Sequence, residues 1–312
     1  MSRPLRIEFP GAVYHLTAKG NFGQSIFNDK TDAIHFLEFL GKEIFQQRWI
    51  CHAYCLLENH FHLIIETPEP NLSRGMGRLN MRYSQWFGRR HKCNGHLFHG
   101  RFKSIILQKE KFLLPLCRYV VLNPVRLKLV DHVNQWRWSS YRFLAYEEEK
   151  NEWLTLDWIQ AQFETTKSEK NNAWQNYVLK GINLPSPWKD LRSGYYLGDE
   201  KFLKRIAGEI KGKSLYQISK NAANPERPNL DQILEAVSEA SGVSAKQILN
   251  KRVAPNEFQV TIYLLRRLAN LPLREVANLT KISQGRISQI QKRIEDAGGL
   301  GKIFHWARKL EN

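Results

Sequence analysis

Apolar and polar residues alternate through "GAVYHLTAKG", "WICHAYCLLE" and "HFHLIIET", the period of two that predicts strands. Between the first and second, "KTDAIHFLEFLGKEIFQQ" repeats its apolar residues every three or four positions after Asp29, which predicts a capped helix. Glu58 and Asn59 form a turn before the third strand, and Pro68 and Pro70 end it. Asn71 or Ser73 can then cap a helix over "LSRGMGRLNMRYSQWFGRRH". A glycine-bracketed loop, "CNGHLFHG", leads to a strand in "RFKSIILQ" and a helix in "LLPLCRYVVLNPVRLKLV". This order of elements predicts an α+β fold, a ferredoxin-like antiparallel sheet with helices on one face and the other face left open.

Further along, polar or proline-bearing breaks occur at Glu147 to Lys150, "TTKSEKNN" and "LPSPW", and "NAANPERPN" from Asn221 to Asn229 reads as a linker. From Leu230 the pattern is helical throughout. "LREVANLTKISQGRISQIQKRI" has the short helix, tight connection and basic second helix of a helix-turn-helix, with Pro272 suited to the first helix's start. The expected organisation is a catalytic-type domain over 1–146, a helical connecting region and linker over 147–229, and an all-α helix-turn-helix domain over 230–312.

Charge changes the picture more than overall composition does. The 312 residues are 42% hydrophobic, as expected of a globular chain, but they carry a formal net charge of +17. Such a field favours a polyanion, and nucleic acid is the expected partner. Between Pro70 and Val130 the only acid is Glu110, against Arg74, Arg78, Arg82, Arg89, Arg90, Arg101, Lys103, Arg126 and other cations. A solvated helix face usually mixes both signs, so this belt points to phosphate contacts. Trp86, Phe87, Phe98 and Phe102 among these cations are candidate stacking surfaces for a single strand. No long apolar run suggests a membrane span or signal peptide, so a cytoplasmic, nucleoid-associated protein is expected. Cys51, Cys55, Cys93 and Cys117 lack paired spacing and are expected to be buried free thiols.

Two local patterns carry candidate chemistry. Strand alternation sends His60 and His62 to one face, where two imidazoles can grip one metal ion. Tyr119 and Asn123 lie one helical turn apart, so a phenol and an amide oxygen can project side by side. Two neutral imidazoles and the Asn123 carbonyl would hold a divalent cation, Mg²⁺ or Mn²⁺, with positions left for phosphate and water. Attack by Tyr119 on a phosphodiester would give a phosphotyrosine ester and conserve bond energy for rejoining, which favours strand transfer over hydrolysis. In the C-terminal segment Gln284, Arg286, Ser288, Gln291 and Lys292 lie on the expected reader helix, where they could meet base edges and phosphates of duplex DNA.

"HFHLIIETPEPNLSRGM", "GHLFHGRFKS", "CRYVVLNPVRLKLV" and "WRWSSYRFLAY" resemble, in order, the motifs of the single-tyrosine HUH transposases, in their REP-associated tyrosine transposase branch. The resemblance runs from about Arg3 to Tyr146. It implies that His60 and His62 are metal ligands, that Asn123 completes the metal site, and that Tyr119 is the nucleophile. It also implies cutting of single-stranded DNA at palindromic or hairpin-associated sites through a 5′-phosphotyrosine link. The segment "VTIYLLRRLANLPLREVANLTKISQGRISQIQKRIE" is similar to the DNA-binding end of the bacterial replication initiator, although "KISQGRIS" departs from its usual polar, histidine-bearing stretch.

Bland alternatives compete at each site. A His-x-His in a strand and a tyrosine on an amphipathic helix are often structural, and Asn123, preceding Pro124, could simply end a helix. His15, His52 and Glu66 could face the same site or be satisfied polar residues at a sheet margin. The rival functions are a domesticated DNA-binding protein that no longer cuts, and a zinc hydrolase with Glu66 as the activating base. With ordinary histidines, metal-dependent nicking is expected to fade as pH drops through about 6.5. Monomer and homodimer are both open.

Overall fold

The computed structural model describes residues 6–146, 148–163, 167–210, 225 and 227–311. Most of the expected linker from Asn221 to Asn229 lies outside them. The chain divides into two compact units, the first holding residues up to Asp190 together with Tyr195–Phe202, the second including Leu191–Gly194 and the C-terminal residues.

In the first unit the order is β1 (Ala12–Lys19), α1 (Lys30–Gln47), β2 (Ile50–Leu57), β3 (His60–Thr67), α2 (Leu72–His91), β4 (Lys103–Leu107) and α3 (Lys109–Val121). Asp29 starts α1 because its carboxylate accepts from the backbone N–H of Thr31 at 2.8 Å and of Asp32 at 3.2 Å. Arg48 ends it in the left-handed region at φ 56°. Asn71 occupies the cap position of α2, but its side chain serves elsewhere, accepting from Trp49 Nε1 at 2.6 Å and donating to the Gln47 carbonyl at 3.0 Å.

Short elements follow: α4 (Asn123–Arg126), α5 (Tyr141–Ala145), α6 (Asp157–Gln160), α7 (Lys167–Leu179), a 3₁₀ turn at Pro187–Asp190, β5 (Tyr196–Leu197) and α8 (Glu200–Ile210). Residues just after the expected boundary at 146 pack within the first unit. The Trp153 ring lies so close to α1 that a Cβ on Gly41 would sit 2.6 Å from it, and Thr155 donates its N–H to the Cys51 carbonyl at 2.9 Å.

The sheet has five strands in the order β2-β3-β1-β4-β5, antiparallel except for the parallel β4–β5 pair. The expected purely antiparallel sheet is therefore corrected to a mixed one. β5 is two buried residues long, too short for any periodicity to announce it. A second correction concerns the open face. α1 and α2 cover one side, where Phe36 of α1 meets Phe61 of β3 at 4.8 Å and Tyr83 of α2 at 5.1 Å between ring centroids. α3 packs on β2 and β3, and Trp188 of the 3₁₀ turn lies between Tyr119 of α3 and His15 of β1, so the histidine face is covered too. The reason is that β2 and β3 are apolar on both sides, with Ala53, Cys55 and Ile64 on the histidine face. A face of that kind requires a partner. The apolar stripe of α3, with Leu113, Leu116, Cys117, Val120 and Val121 all fully buried, supplies it at about 1.5–3 kcal/mol per large side chain.

The second unit contains α9 (Leu230–Ser241), α10 (Ala245–Ile248), α11 (Pro255–Arg267), α12 (Leu273–Thr280), α13 (Gln284–Asp296) and α14 (Leu300–Ile303). Their apolar faces converge on a core that includes Val237, Phe258, Ile262, Leu265, Val276, Ile287 and Ile294. α12 and α13 are joined by three residues, with Lys281 left-handed at φ 56° and Ser283 capping α13 by accepting from the Arg286 N–H at 3.2 Å. No helix among the described residues is long and apolar enough to cross a membrane.

Candidate active site

The centre of the histidine face is built by strand register. Thr17 of β1 and Cys55 of β2 flank His62 of β3, and His15 lies two residues before Thr17 on the same face. His15 Nε2 and His62 Nδ1 are 2.9 Å apart, both side chains being buried. His60, next along the face at 5.0 Å between ring centroids, places its Nδ1 2.7 Å from the Asn59 amide oxygen.

Burial dominates the electrostatics. It lowers His15 to about 3. It lowers His60 to about 4, helped by Lys19. His62 is held well below the ordinary range by burial first and then by His15, His60 and Lys19. All are neutral at physiological pH and can offer lone pairs. Three buried polar atoms of this cluster have no hydrogen-bond partner: His62 Nε2, His15 Nδ1 and Thr17 Oγ1. A buried unpaired polar atom is costly unless something else engages it, and an imidazole nitrogen in that position suits a transition-type cation. The imidazoles thus fit a divalent metal. Among the described residues no three His, Cys, Asp or Glu side chains form a metal-holding group.

Tyr119 is half-buried on α3. Its ring meets Trp188 edge-on at 5.3 Å, and Trp188 in turn lies 4.8 Å from His15. The phenol and the histidines therefore lie over one sheet face with an indole between them. Arg126 stands over the Tyr119 ring at 5.0 Å and is itself anchored to the carbonyls of Gly181 at 3.0 Å and Leu184 at 3.2 Å. A cleft of 270 Å³ opens beside Tyr119, lined by Lys111, Arg118, Arg126, Pro185 and Lys189 among others.

Asn123 does not continue α3. That helix ends at Val121, and the Asn123 amide turns back to donate to the carbonyls of Tyr119 at 3.0 Å and Val120 at 3.3 Å. Its nitrogen satisfies the helix end, and its oxygen is the only part left for a ligand role. His52 and Glu66 form a separate group. Burial raises the Glu66 carboxyl, but hydrogen bonds from His52 at 2.9 Å and Lys109 at 2.7 Å outweigh it and leave it below its ordinary value. A carboxylate so engaged is poorly placed as a hydrolase base.

Several belt cations have local partners that lie outside the window in which they look unopposed. Arg78 and Arg82 reach the fully buried Glu43 of α1 at 3.4 and 3.2 Å. Arg90 pairs with Asp29 at 2.6 Å and with the buried Asp32, and Arg74 donates to Gln47 at 3.0 Å. Arg89, Arg101 and Lys103 are exposed. Phe87, Phe98 and Phe102 are core residues, which corrects their expected use as stacking surfaces; only Trp86 of that set is half-exposed. Cys51, Cys55 and Cys117 are buried as expected, but Cys93 is exposed. On α13, Gln284, Arg286, Ser288 and Lys292 are exposed, whereas Gln291 accepts from Arg266 at 3.3 Å and donates to Glu295 at 3.0 Å.

Sequence reasoning named His60, His62 and Tyr119 but not Trp188, which no local pattern distinguishes from other tryptophans. No curated protein matches this chain. Among solved structures, one of a REP-associated tyrosine transposase bound to a REP hairpin aligns at 19% identity with a TM-score of 0.41, covering 50% of this chain and 92% of that one. Residues 9–122, which span β1 to α3 with His15, His60, His62 and Tyr119, match the family described as "Transposase IS200 like", and in this segment the chain is similar to those transposases.

Proposed function

We propose that the first unit nicks and transfers single-stranded DNA at hairpin or palindromic sites, with Tyr119 as nucleophile and His60, His62 and the Asn123 oxygen holding Mg²⁺ or Mn²⁺. The observation that carries this is the shared sheet face, with Tyr119 one indole away from a neutral histidine cluster that contains an unpartnered Nε2. The match of residues 9–122 to IS200-like transposases supports the same reaction class. The element order and the β2-β3-β1-β4 strand order support a ferredoxin-like core.

In this reading Arg126 fixes the Tyr119 ring, and the phenol reaches the histidine cluster once the Trp188 ring swings aside. The phenol gives up its proton, its oxygen bonds to phosphorus, and the P–O3′ bond breaks. A protonated 3′ hydroxyl leaves on one strand, and a 5′-phosphotyrosine remains on the other. A divalent cation, when bound, neutralises charge on the scissile phosphate oxygens. The exposed Arg89, Arg101 and Lys103 offer phosphate contacts. For the second unit, the three-residue connection between α12 and α13 and the exposed polar face of α13 support a helix-turn-helix that binds duplex DNA.

Incubating the protein with a labelled single-stranded hairpin and Mn²⁺ tests the reaction. A covalent protein–DNA adduct should form on denaturing gels and vanish in Tyr119→Phe, with hairpin binding retained. An adduct that survives the substitution rules out this nucleophile, and binding without any adduct identifies a DNA-binding protein that does not cut.

A further inference from the structure

His60 and His62 both have their Nδ1 atoms engaged, by different partners. The Asn59 amide oxygen, 2.7 Å from His60 Nδ1, can only accept, so that nitrogen carries the proton and His60 Nε2 keeps its lone pair. His62 Nδ1 faces His15 Nε2 at 2.9 Å, an arrangement that two tautomer pairs satisfy equally. In one, His62 donates, its Nε2 is a bare lone pair, and the proton without an acceptor sits on His15 Nδ1, which is likewise buried and unpartnered; a cation at His62 Nε2 selects this pair. In the other, His15 donates and His62 Nε2 carries a proton that has no acceptor, since that atom is buried and unpartnered.

We infer that His15 is the positioning residue of the metal centre: by accepting the Nδ1 proton of His62 it supports the tautomer in which the buried His62 Nε2 keeps its lone pair for a cation, as Asn59 does for His60. This inference rests on the proposed metal role of the His60–His62 pair. His15 suits the task because it cannot drift. It sits on β1, paired with β3 on one side and β4 on the other, and its ring lies tilted against Trp188 at 4.8 Å between centroids. It is 2% exposed, so water does not compete for His62 Nδ1. Ligating histidines commonly depend on such a partner at the other ring nitrogen, and its loss typically weakens metal binding roughly 10- to 100-fold.

The test uses the full chain without DNA. Mn²⁺ affinity is measured by calorimetry in the wild type, His62→Ala, His15→Leu and His15→Gln. Imidazole ¹⁵N spectra of the protein loaded with diamagnetic Mg²⁺ read the His62 tautomer directly. Gln places an amide oxygen where His15 Nε2 stands, and Leu fills the space without an acceptor. The expected result is a wild-type His62 protonated at Nδ1, binding lost in His62→Ala, affinity down about tenfold or more in His15→Leu, and recovery to within about threefold in His15→Gln. If His62→Ala binds Mn²⁺ as the wild type does, the metal reading itself is wrong. If His62→Ala loses binding but His15→Leu does not, or if wild-type His62 is protonated at Nε2, the role of His15 is overturned while the metal reading stands. The wild-type spectrum decides the matter even if His15→Leu does not fold.

Discussion

At His62 the demands of burial and of chemistry meet most directly. The ring is 8% exposed, it lies beside two other imidazoles, and the environment holds it neutral. In the unfolded chain these histidines titrate near 6.5, whereas in the fold His60 is lowered to about 4 and His15 to about 3. Between those values the unfolded state binds more protons, so stability rises with pH across this window. The full contribution is present above about 6.5 and is lost as pH falls toward about 4 and below. Calorimetry should show Tm falling as pH drops below about 6.5, with a shallower slope in His15→Gln; equal slopes would mean that His15 is not buried neutral. The same shift revises the expected pH profile of nicking. Ligands that stay neutral in the fold do not surrender the metal at pH 6.5, so activity should persist to about pH 5. A half-maximal point near 6.5 would show that His60 and His62 titrate as exposed residues do.

Between elements, the packing of α1 on α2 depends on carboxylates shut away from the surface. Glu43 and Asp32 are fully buried, and the cations that compensate them come from α2. Removing Arg78 and Arg82 together leaves the buried Glu43 side chain without those two cations, at an expected cost of about 3 kcal/mol in urea unfolding. Arg89→Ala, on an exposed position of the same helix, should change stability by less than about 0.5 kcal/mol yet weaken hairpin binding. Comparable losses of stability for both variants would mean that the α1–α2 ion pairs contribute nothing distinctive. Here a local window misleads: α2 reads as a bare basic stripe because its counter-charges belong to a helix that precedes it by two strands. Alternation and helical spacing did make α1, β3 and α2 legible, since side-chain direction depends only on an element's own period.

For the whole molecule, a net charge of +17 favours a long anion, and ion pairs inside the first unit leave that net charge unchanged while occupying several of its arginines. Hairpin binding should still weaken by about a hundredfold or more between roughly 50 and 200 mM salt, as several phosphate contacts require. A nearly level response would remove the basic belt as the DNA track. If the second unit is an independent reader of duplex DNA, Arg286→Ala should cost about 1–3 kcal/mol in duplex affinity and leave adduct formation on a single-stranded hairpin unchanged. Loss of both activities together would contradict that division of labour.

Short-range periodicity determined the longer strands and helices of this chain, β5 and the short helical turns excepted, and with them the shared face of His60 and His62 and the helical setting of Tyr119. What lies opposite each face was left to the tertiary structure, because a side chain's direction is set by its own backbone whereas its partner comes from elsewhere in the chain. His15 meets His62 across 47 residues, Trp188 arrives from a 3₁₀ turn to separate Tyr119 from the histidines, and α3 closes a sheet face that alternation alone left open. Asn123 illustrates the same limit at close range: one turn of spacing put it beside Tyr119, and only the helix end decided that its amide nitrogen would serve the backbone.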